Sequence, residues 1–361
     1  MFGRIEYEAN WGEHSQLRRC KVLKTVGLTP VHSLLFNRCV KKGKVLAFFL
    51  LVGGCVSQDD GGFVVPELDI TPPPGQSPSG QSGLGGAYPI VLAHGFGGNA
   101  QSFPDSIALA MAQSGAPVIR TEVNPVASVA ERGAQLTAQV QAVVTQTGAS
   151  KVHLVGHSMG GLDSRFVAGQ LPGAIASITT ISTPHGGSLL ADTALGLSGT
   201  FGQQSAVLEL FAVLTGVDSD NLDLQAALRD LSVNHSPELN ALFPSILGSG
   251  IVYQSWSGLS TVNGRVNGDA ASVCGQLLGN GTIDSLRPIL VPTILVTAHG
   301  LEGRPSDGVV TVQSADLAGS TFRGCLPGDH LEEPTAYSDA DTGFDSVAFY
   351  GDMAAELATI Q

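Results

Sequence analysis

A short apolar run that ends in a Gly-x-Ser-x-Gly motif constrains the fold of this chain more than any other feature. Residues 152–155 are β-prone, the motif follows as Gly156-His157-Ser158-Met159-Gly160, and a helical pattern continues over residues 162–169. A strand that turns this tightly into a helix lifts the serine hydroxyl above a sheet, and glycine is needed where a Cβ would collide with backbone. The helix N-terminus favours negative charge at Ser158. An ordinary Gly-rich turn is the alternative, but the flanking strand and helix favour a nucleophilic serine.

The segments around this motif alternate between β-prone and helical patterns. Candidate strands cover residues 89–93, 117–121 and 175–181, and candidate helices cover residues 107–114 and 127–147. The longer helix carries apolar side chains at three- and four-residue spacing, as an amphipathic helix does. Alternating strands and helices predict βαβ units and therefore a mainly parallel sheet.

Four segments resemble the secreted triacylglycerol lipases of Gram-negative bacteria, the true lipases of the α/β-hydrolase fold. They are residues 88–98, 156–166, 183–188 and 253–258, and the resemblance extends over residues 88–361. It implies an α/β-hydrolase with a mainly parallel central sheet, helices on both faces and a helical lid insertion. It also implies ester hydrolysis at a lipid–water interface without a cofactor for the chemistry, structural calcium in many members and a dedicated chaperone in some.

A His-Gly pair follows the first predicted strand of this domain. His94-Gly95-Phe96 stands where hydrolases of the resembled fold form half of an oxyanion hole. The backbone N–H groups of Phe96 and Met159 are the expected donors, because they can face charge that develops on the substrate carbonyl oxygen. A βα turn of no chemical purpose is the alternative, and the position of the turn upstream of the motif favours the oxyanion hole.

The acid and base that a nucleophilic serine needs are expected downstream of it, in that order. After a predicted strand at residues 292–297, Asp307-Gly308-Val309-Val310 resembles the acid motif of the lipases. His330-Leu331-Glu332 resembles their His-Leu-Asp base motif. An imidazole takes the serine proton and a carboxylate fixes its tautomer, so we predict a triad of Ser158, Asp307 and His330.

Other histidines compete for the role of base. His299 precedes Asp307, whereas His185 and His235 have no acid-then-base pattern around them. His94 and His157 lie in the motif turns and are interpreted as structural.

Residues 189–231 occupy the position of the lid in the resembled lipases. They combine small residues with apolar clusters that include Val207, Leu208, Leu210, Phe211, Val213 and Leu214. A helical insertion with one apolar face suits closure over a site at an interface. An ordinary pair of packing helices explains any one of these residues equally well.

The first 87 residues separate into three parts of different composition. Residues 41–55 begin with Lys41-Lys42-Gly43-Lys44, continue with a short apolar run and end at Val52-Gly53-Gly54-Cys55, which resembles the lipobox of bacterial lipoproteins. We expect export and lipidation at Cys55; a plain secretory signal with an incidental Cys is the alternative. Residues 1–40 fit no signal pattern and are a leader or an over-extended gene start. Residues 56–87 are rich in Pro, Gly and Ser and are predicted to be a tether, with ordered sequence from Tyr88.

Two cysteines remain for a disulfide. Two of the five fall in the leader and Cys55 is the expected lipid site, which leaves Cys274 and Cys325 as a pair in an exported domain. The resembled lipases instead place a Cys shortly after the acid motif, where this chain has Gln313. This departure leaves the subfamily, and with it the dependence on a dedicated lipase chaperone, open.

The resemblance also implies a calcium site that ties the loop bearing the base to a segment before the acid. Asp284 lies at the corresponding distance before Asp307, and Glu332 stands where the family has Asp. Carboxylates are ligands that calcium prefers, although the longer side chain of Glu332 changes the geometry. The alternative is a turn or cap residue at Asp284 and a solvated charge at Glu332.

The distribution of charge narrows the range of partners. Residues 1–54 contain half of the 18 Lys and Arg but only three of the 31 Asp and Glu, so the rest of the chain is strongly acidic. An acidic surface disfavours nucleic acid and anionic lipid head groups and suits a neutral substrate. We therefore predict an exported ester hydrolase, most closely a triacylglycerol lipase. The alternatives are a short-chain esterase, polyester depolymerase or acyltransferase on the same fold, or a non-catalytic binding lipoprotein.

Overall fold

The computed structural model describes residues 40–41, 44–45, 64–76, 87–197, 204–216, 222–242, 250–262, 270–295 and 304–360. The chain divides into two compact units, Met1–Phe63 and Val64–Gln361. In the first unit, strands β1 (Val40–Lys41) and β2 (Lys44–Val45) pair antiparallel. Cys55 and the predicted leader up to residue 39 lie outside the described residues, so the signal, the lipid site and the leader stay predictions.

A seven-stranded sheet forms the centre of the second unit. Its strands are β3 (Asp69–Thr71), β4 (Ile90–Ala93), β5 (Val118–Arg120), β6 (Val152–His157), β7 (Ile175–Ile181), β8 (Val252–Gly258) and β9 (Thr321–Leu326). The order across the sheet is β3-β5-β4-β6-β7-β8-β9, and every pairing is parallel except that of β3 with β5. A separate hairpin joins β10 (Ser338–Asp339) to β11 (Phe344–Asp345). The mainly parallel sheet predicted from the sequence is confirmed.

Helices alternate with these strands along the chain. The α-helices of the described residues are α1 (Asp105–Ala112), α2 (Val129–Thr147), α3 (Met159–Gln170), α4 (Leu189–Ala194), α5 (Gln204–Thr215), α6 (Leu222–Asp230), α7 (Ser236–Leu242), α8 (Ala270–Cys274), α9 (Val312–Ala315) and α10 (Ser346–Leu357). Short 3₁₀ helices cover Ala100–Ser102, Pro172–Ala174 and Pro288–Leu295. No helix among the described residues is long and apolar enough to span a bilayer.

Both faces of the sheet are covered by helices. Side chains alternate along a strand, so β4 sends Ile90 and Leu92 to one face and Val91 to the other. The first face packs with α1 and α10. The second face packs with α2 and α3, where Leu136 and Val167 are fully buried. This layering brings the β6–α3 turn to the carboxyl edge of the sheet.

A helical insertion separates β7 from β8 and includes the predicted lid. Its helices α4, α5 and α6 share one apolar cluster with Met159 and Leu162 of α3. In α5, Val207 and Phe211 are buried in this cluster, whereas Val213 is 67% exposed. The insertion therefore packs its apolar face directly onto the helix that follows Ser158.

The strand predicted at residues 292–297 is wrong over its described part. Residues Pro288–Leu295 form a 3₁₀ helix, and β8 pairs directly with β9 instead. A proline has no backbone N–H to donate to a central ladder, and Pro292 stands where the predicted strand would begin. The Thr293 hydroxyl donates to Leu290 O at 2.6 Å, which suits a helical turn. Residues 296–300 lie outside the described part of the chain.

The tether predicted for residues 56–87 is also wrong in one place, and ordered structure does not begin at Tyr88. Residues Asp69–Thr71 form the edge strand β3. Asp69 pairs with Arg120 of β5 at 2.7 Å, and Ile70 packs on the apolar cluster beneath it. An ion pair, the backbone pairing with β5 and apolar packing thus fix three residues inside a Pro-rich segment.

The predicted disulfide between Cys274 and Cys325 is present. It joins α8 to β9 across 51 positions of sequence, with the two Cα atoms 5.4 Å apart. Both cysteines are buried in a small cluster with Leu259 and Val312. The bridge therefore links the segment after β8 to the last strand of the sheet.

Candidate active site

Ser158 occupies the turn between β6 and α3 in a backbone conformation that few non-glycine residues adopt. Its φ is 54° and its ψ −128°. A Cβ at Gly156 would collide with the backbone at Gly160, and one at Gly160 would collide with the carbonyl of Ala93. Ser158 N donates to Ile181 O at 2.8 Å, which ties the turn to β7. The two glycines of the motif are therefore required by the close approach of β4, β6 and α3.

The structure brings Ser158, His330 and Asp307 into one hydrogen-bonded chain. His330 Nε2 lies 2.8 Å from Ser158 Oγ, and His330 Nδ1 lies 2.8 Å from Asp307 Oδ2. The three side chains come from three loops at the carboxyl edge of the sheet. His330 N also donates to Asp307 O at 3.1 Å, so main chain as well as side chain joins the two loops.

Asp307 is held as an acceptor. It is fully buried, and its Oδ1 accepts from Val309 N at 2.8 Å and from Val310 N at 2.7 Å. Burial alone would raise the pKa of Asp307, but the charge and hydrogen bond of His330 and the two amides outweigh it and lower that pKa. An ionised Asp307 directs the Nδ1 proton of His330 toward itself and leaves Nε2 to accept from the serine.

The competing histidines that the structure describes are engaged elsewhere. His185 Nε2 lies 3.2 Å from Thr180 Oγ1, and His235 Nδ1 lies 2.9 Å from Glu238. His94 uses both ring nitrogens structurally, since Nε2 accepts from Val123 N and Nδ1 donates to Gly95 O. Burial, reinforced by the charge of Arg132, lowers the pKa of His94 to about 3. His299 lies outside the described residues.

The predicted oxyanion donors flank the serine. The turn after β4 lies so close that a Cβ on Gly95 would come within 2.8 Å of Ser158 Cβ. Met159 is the first residue of α3, so its N–H has no partner within the helix. Neither Phe96 N nor Met159 N donates to another described residue, while Gly97 N donates to Pro125 O. Both predicted amides are therefore available beside Ser158.

A buried arginine that the sequence reasoning missed supports this turn. Arg132 of α2 is fully buried and donates to His94 O at 2.7 Å. Its Nε donates to Asp163 of α3 at 2.9 Å. Burial raises the pKa of Asp163 to about 6, although the charge of Arg132 opposes the rise. A basic residue inside the apolar stripe of α2 was the available signal, because Arg132 lies between Val129 and Leu136 at helical spacing.

A second residue that the sequence reasoning missed is Glu333. It is fully buried, accepts from Ser182 Oγ at 2.7 Å, and its Oε2 lies 3.2 Å from His157 Nε2. The same oxygen is 4.0 Å from His330 Nδ1. Among the described residues, His157, His330 and Glu333 are the cluster whose ligand atoms could hold a metal ion, but both ring nitrogens of His330 and both oxygens of Glu333 already take part in hydrogen bonds. In the sequence, the position of Glu333 three residues after His330 is the one feature that could have pointed to its role.

An apolar cavity of about 60 Å³ adjoins the serine. Its lining includes Phe96, Leu210, Phe211, Leu290 and Val309 together with Ser158 and His330. The Phe96 and Phe211 rings meet edge to face with their centroids 5.6 Å apart, so helix α5 lies directly against the predicted oxyanion turn. The cavity suits the apolar part of an ester.

Asp284 and Glu332, the predicted calcium ligands, each accept hydrogen bonds from neighbouring groups. Glu332 accepts from Arg287 Nε at 3.0 Å and from Asp329 N at 3.1 Å, while Asp284 Oδ1 accepts from Ser285 N at 2.6 Å. The carboxylate oxygens of Asp284, Asp329 and Glu332 do not all lie within 4.8 Å of one another. Both oxygens of Glu332 already have N–H donors, one of them on the Arg287 guanidinium, so Glu332 does not fit a calcium ligand in this arrangement.

The sheet, the strained serine and the hydrogen-bonded chain define an α/β hydrolase. A family profile described as alpha/beta hydrolase fold matches residues 88–296. The mature lipase of Bacillus licheniformis has a similar structure, with a TM-score of 0.52 at 18% identity, covering 81% of this chain and 98% of that one. At that identity the likeness concerns the fold alone.

Two curated relatives narrow the family further. A triacylglycerol lipase of Vibrio cholerae is 34% identical over 68% of this chain and 79% of its own length. A triacylglycerol lipase of Burkholderia plantarii is 33% identical over 68% of this chain and 78% of its own length. The chain therefore belongs to the α/β hydrolase fold family, among the triacylglycerol lipases, and it is a carboxylic ester hydrolase.

Proposed function

We propose that this chain hydrolyses triacylglycerols through an acyl-enzyme on Ser158. The observation that carries the proposal is the 2.8 Å contact between Ser158 Oγ and His330 Nε2 beside an apolar cavity. The names of the relatives support the substrate class. A neutral, apolar substrate also suits the acidic composition of the chain.

The residues divide the chemistry between them. His330 Nε2 takes the proton of Ser158 Oγ as the oxygen attacks the ester carbonyl, and Asp307 stabilises the resulting imidazolium. The amides of Phe96 and Met159 hold the oxyanion. His330 then gives its proton to the leaving alcohol, the C–O bond breaks and Ser158 keeps the acyl group. Water repeats the attack with His330 as base, which releases the acid and restores the serine.

Entry of a long acyl chain requires the insertion to move. A cavity of about 60 Å³ is far smaller than the roughly 300–1,000 Å³ that sites for ligands of moderate size offer. Leu210 and Phe211 of α5 line it beside Ser158. We therefore propose residues 189–231 as a lid that opens at a lipid–water interface and exposes the apolar face of α5.

A short-chain esterase is the second candidate, because the cavity as it stands admits only a small acyl group. Activity on glycerol esters of increasing chain length, below and above their solubility limits, separates the two candidates. A lipase gains activity when long-chain substrate forms a separate phase, whereas an esterase is most active on dissolved short esters. Ser158→Ala is the control. Labelling of another serine by a phosphonate probe, identified by peptide mass, would overturn the mechanism.

Export and anchoring are part of the same proposal. The basic start of residues 41–55 and the small residues before Cys55 support a lipoprotein signal. The mass of the mature N-terminal peptide tests it, since a diacylated Cys55 is expected and a free N-terminus at another residue contradicts it. Dependence on a dedicated chaperone stays a prediction, which refolding of the purified chain without helper proteins tests.

A further inference from the structure

The loop that carries His330 is tied to an earlier segment by one arginine. Arg287 precedes the 3₁₀ helix Pro288–Leu295, and its Nε donates to Glu332 Oε1 at 3.0 Å. The same Nε lies 3.7 Å from Asp329 Oδ2. Arg287 N donates to that Asp329 oxygen at 2.9 Å. The two carboxylates stand on either side of His330, so Arg287 holds the loop at both flanks of the base.

The carboxylates on this loop have little access to water. The Asp329 side chain is 0% exposed and that of Glu332 is 11% exposed, whereas that of Arg287 is 40% exposed. Asp329 Oδ1 accepts from the amides of Leu331 and Glu332, and Glu332 Oε2 accepts from Asp329 N. The carboxylates therefore shape the loop from within, and Arg287 supplies the charge that compensates them from outside.

Acidic side chains crowd this part of the molecule. Asp307 and Glu333 approach His330, and Asp329 and Glu332 stand on either side of it in the sequence. Burial, then the charge of Asp307, raises the pKa of Glu333, and burial, then the charge of Asp329, raises the pKa of Glu332. Buried like charges without a compensating cation destabilise the fold. The Arg287 guanidinium bonds directly to one of these groups and approaches a second, which makes it the compensating cation for this loop.

We propose that Arg287 is a positioning residue that takes the place of a bound metal cation and holds His330 in line with Ser158. The Arg287 side chain places a cation beside Asp329 and Glu332, where two buried carboxylates would otherwise need a divalent ion for compensation. Binding of calcium is therefore unnecessary for activity. Removal of the guanidinium leaves Asp329 and Glu332 without a cation and creates a site that a divalent ion can enter. This proposal rests on the roles proposed above for Ser158 and His330.

The test compares wild type, Arg287→Ala and Arg323→Ala. Arg323 is the matched control because it also pairs with a glutamate, Glu356 at 2.8 Å, but in the interface of β9 with α10. Each protein is measured with chelator and with millimolar calcium. The readouts are the rate of Ser158 labelling by a phosphonate probe, kcat and KM on a soluble short ester, and the melting temperature.

We expect chelation to leave wild type and Arg323→Ala unchanged in every readout. In chelator, Arg287→Ala should lose about 10- to 100-fold in labelling rate and kcat with KM little changed, because a small displacement of the base acts on the chemical step. Calcium should raise its melting temperature and restore part of both rates. Arg287→Lys keeps a positive charge but not the planar guanidinium. Its labelling rate and kcat in chelator should lie between those of wild type and Arg287→Ala.

Two outcomes overturn the proposal. One is a wild-type labelling rate in Arg287→Ala, and the other is a loss of melting temperature and activity when wild type is chelated. If Arg287→Ala folds only in calcium, the proposal is supported. If it folds in neither condition, the labelling rate and kcat of Arg287→Lys decide instead: values below those of wild type support the proposal, and wild-type values overturn it. Absence of labelling in wild type would contradict the proposed function instead, and the calcium dependence of melting would still decide the role of Arg287.

Discussion

His157 Nε2 lies 3.2 Å from Glu333 Oε2, so the residue just before Ser158 is bonded to a residue 176 positions later. The other Glu333 oxygen accepts from Ser182, whose φ of 47° is the second positive value at a described non-glycine residue. Burial, then the charge of Asp307, raises the pKa of Glu333 well above its usual range, and burial chiefly lowers the pKa of His157. Two neutral groups therefore join the serine turn to the His330 loop.

Replacement of Glu333 by Gln tests this neutral state through the pH dependence of stability. A carboxyl whose folded pKa is raised stabilises the fold fully below its unfolded pKa of about 4.3, and this contribution is lost as pH rises toward the folded pKa. Wild type should therefore lose stability over that window relative to the variant. We expect the melting temperature of Glu333→Gln, minus that of wild type, to increase from about pH 4 to about pH 8.

The control is Glu356→Gln, at a carboxylate on the surface that pairs with Arg323. It removes a charge of the same kind outside the His330 loop. A difference between Glu333→Gln and wild type that does not change with pH would mean that Glu333 is ionised in the folded protein.

Arg132 should be among the most sensitive positions for stability. It is fully buried and is paired with Asp163 at 2.8 Å. Removal of one partner of a buried ion pair costs about 3–5 kcal/mol, because the other charge stays buried without compensation. We expect Arg132→Ala to lower the free energy of unfolding by that amount, as measured by urea denaturation.

A double-mutant cycle separates the pair from the rest of the Arg132 contacts. Arg132→Ala leaves the Asp163 carboxylate buried without a partner, and Asp163→Ala removes that carboxylate. The double variant should therefore be more stable than the sum of the two single losses predicts. Simple additivity would show that the contact of Arg132 with His94 O, and not its ion pair with Asp163, carries the effect.

The sequence predicts the residues whose roles depend on local geometry. A strained turn needs glycine at fixed spacing around Ser158, and the chain order of acid and base restricts Asp307 and His330 to short motifs. Long apolar strands such as β6 and β7 are also evident, since they are buried along their whole length. The turn around Ser158 and the buried strands have their cause in neighbouring residues, whereas Asp307 and His330 were found by the resemblance of their segments to lipase motifs.

Features that depend on distant partners were beyond the sequence. Strand β3 has only three residues, too few to show the alternation of apolar and polar side chains that marks a strand. It forms because β5, with Arg120, offers a pairing partner far away in the sequence. The apolar content of residues 292–295 suggests a strand equally well as a 3₁₀ helix, and the direct pairing of β8 with β9 decides between them. Arg132 and Glu333 acquire their roles only when segments far apart in sequence meet.

The disulfide should stabilise the second unit substantially. Cys274 and Cys325 close a loop across 51 positions, and loop-closure entropy then contributes on the order of 4 kcal/mol. We expect the double variant Cys274→Ser, Cys325→Ser to lose much of this free energy of unfolding while it keeps its activity at low temperature, because neither cysteine lies in the chain of Ser158, His330 and Asp307. A reduced wild type that unfolds at the same urea concentration as the oxidised one contradicts the expectation.

Phe211 should control access to the serine. Its ring packs edge to face on Phe96 and lines the cavity beside Ser158, so truncation to Ala removes the contact that holds α5 over the site. Aromatic pairs of this kind contribute about 0.5–1.5 kcal/mol beyond burial, which corresponds to roughly a 2- to 10-fold shift toward the open state. We therefore expect Phe211→Ala to raise kcat/KM on a dissolved short ester and to reduce the gain in rate when a long-chain substrate forms a separate phase.

Val213→Ala is the matched control, because Val213 lies on the same helix but is 67% exposed. Equal effects of the two substitutions, or a gain in rate at the phase boundary that Phe211→Ala leaves unchanged, would show that α5 is a fixed packing helix and not a lid.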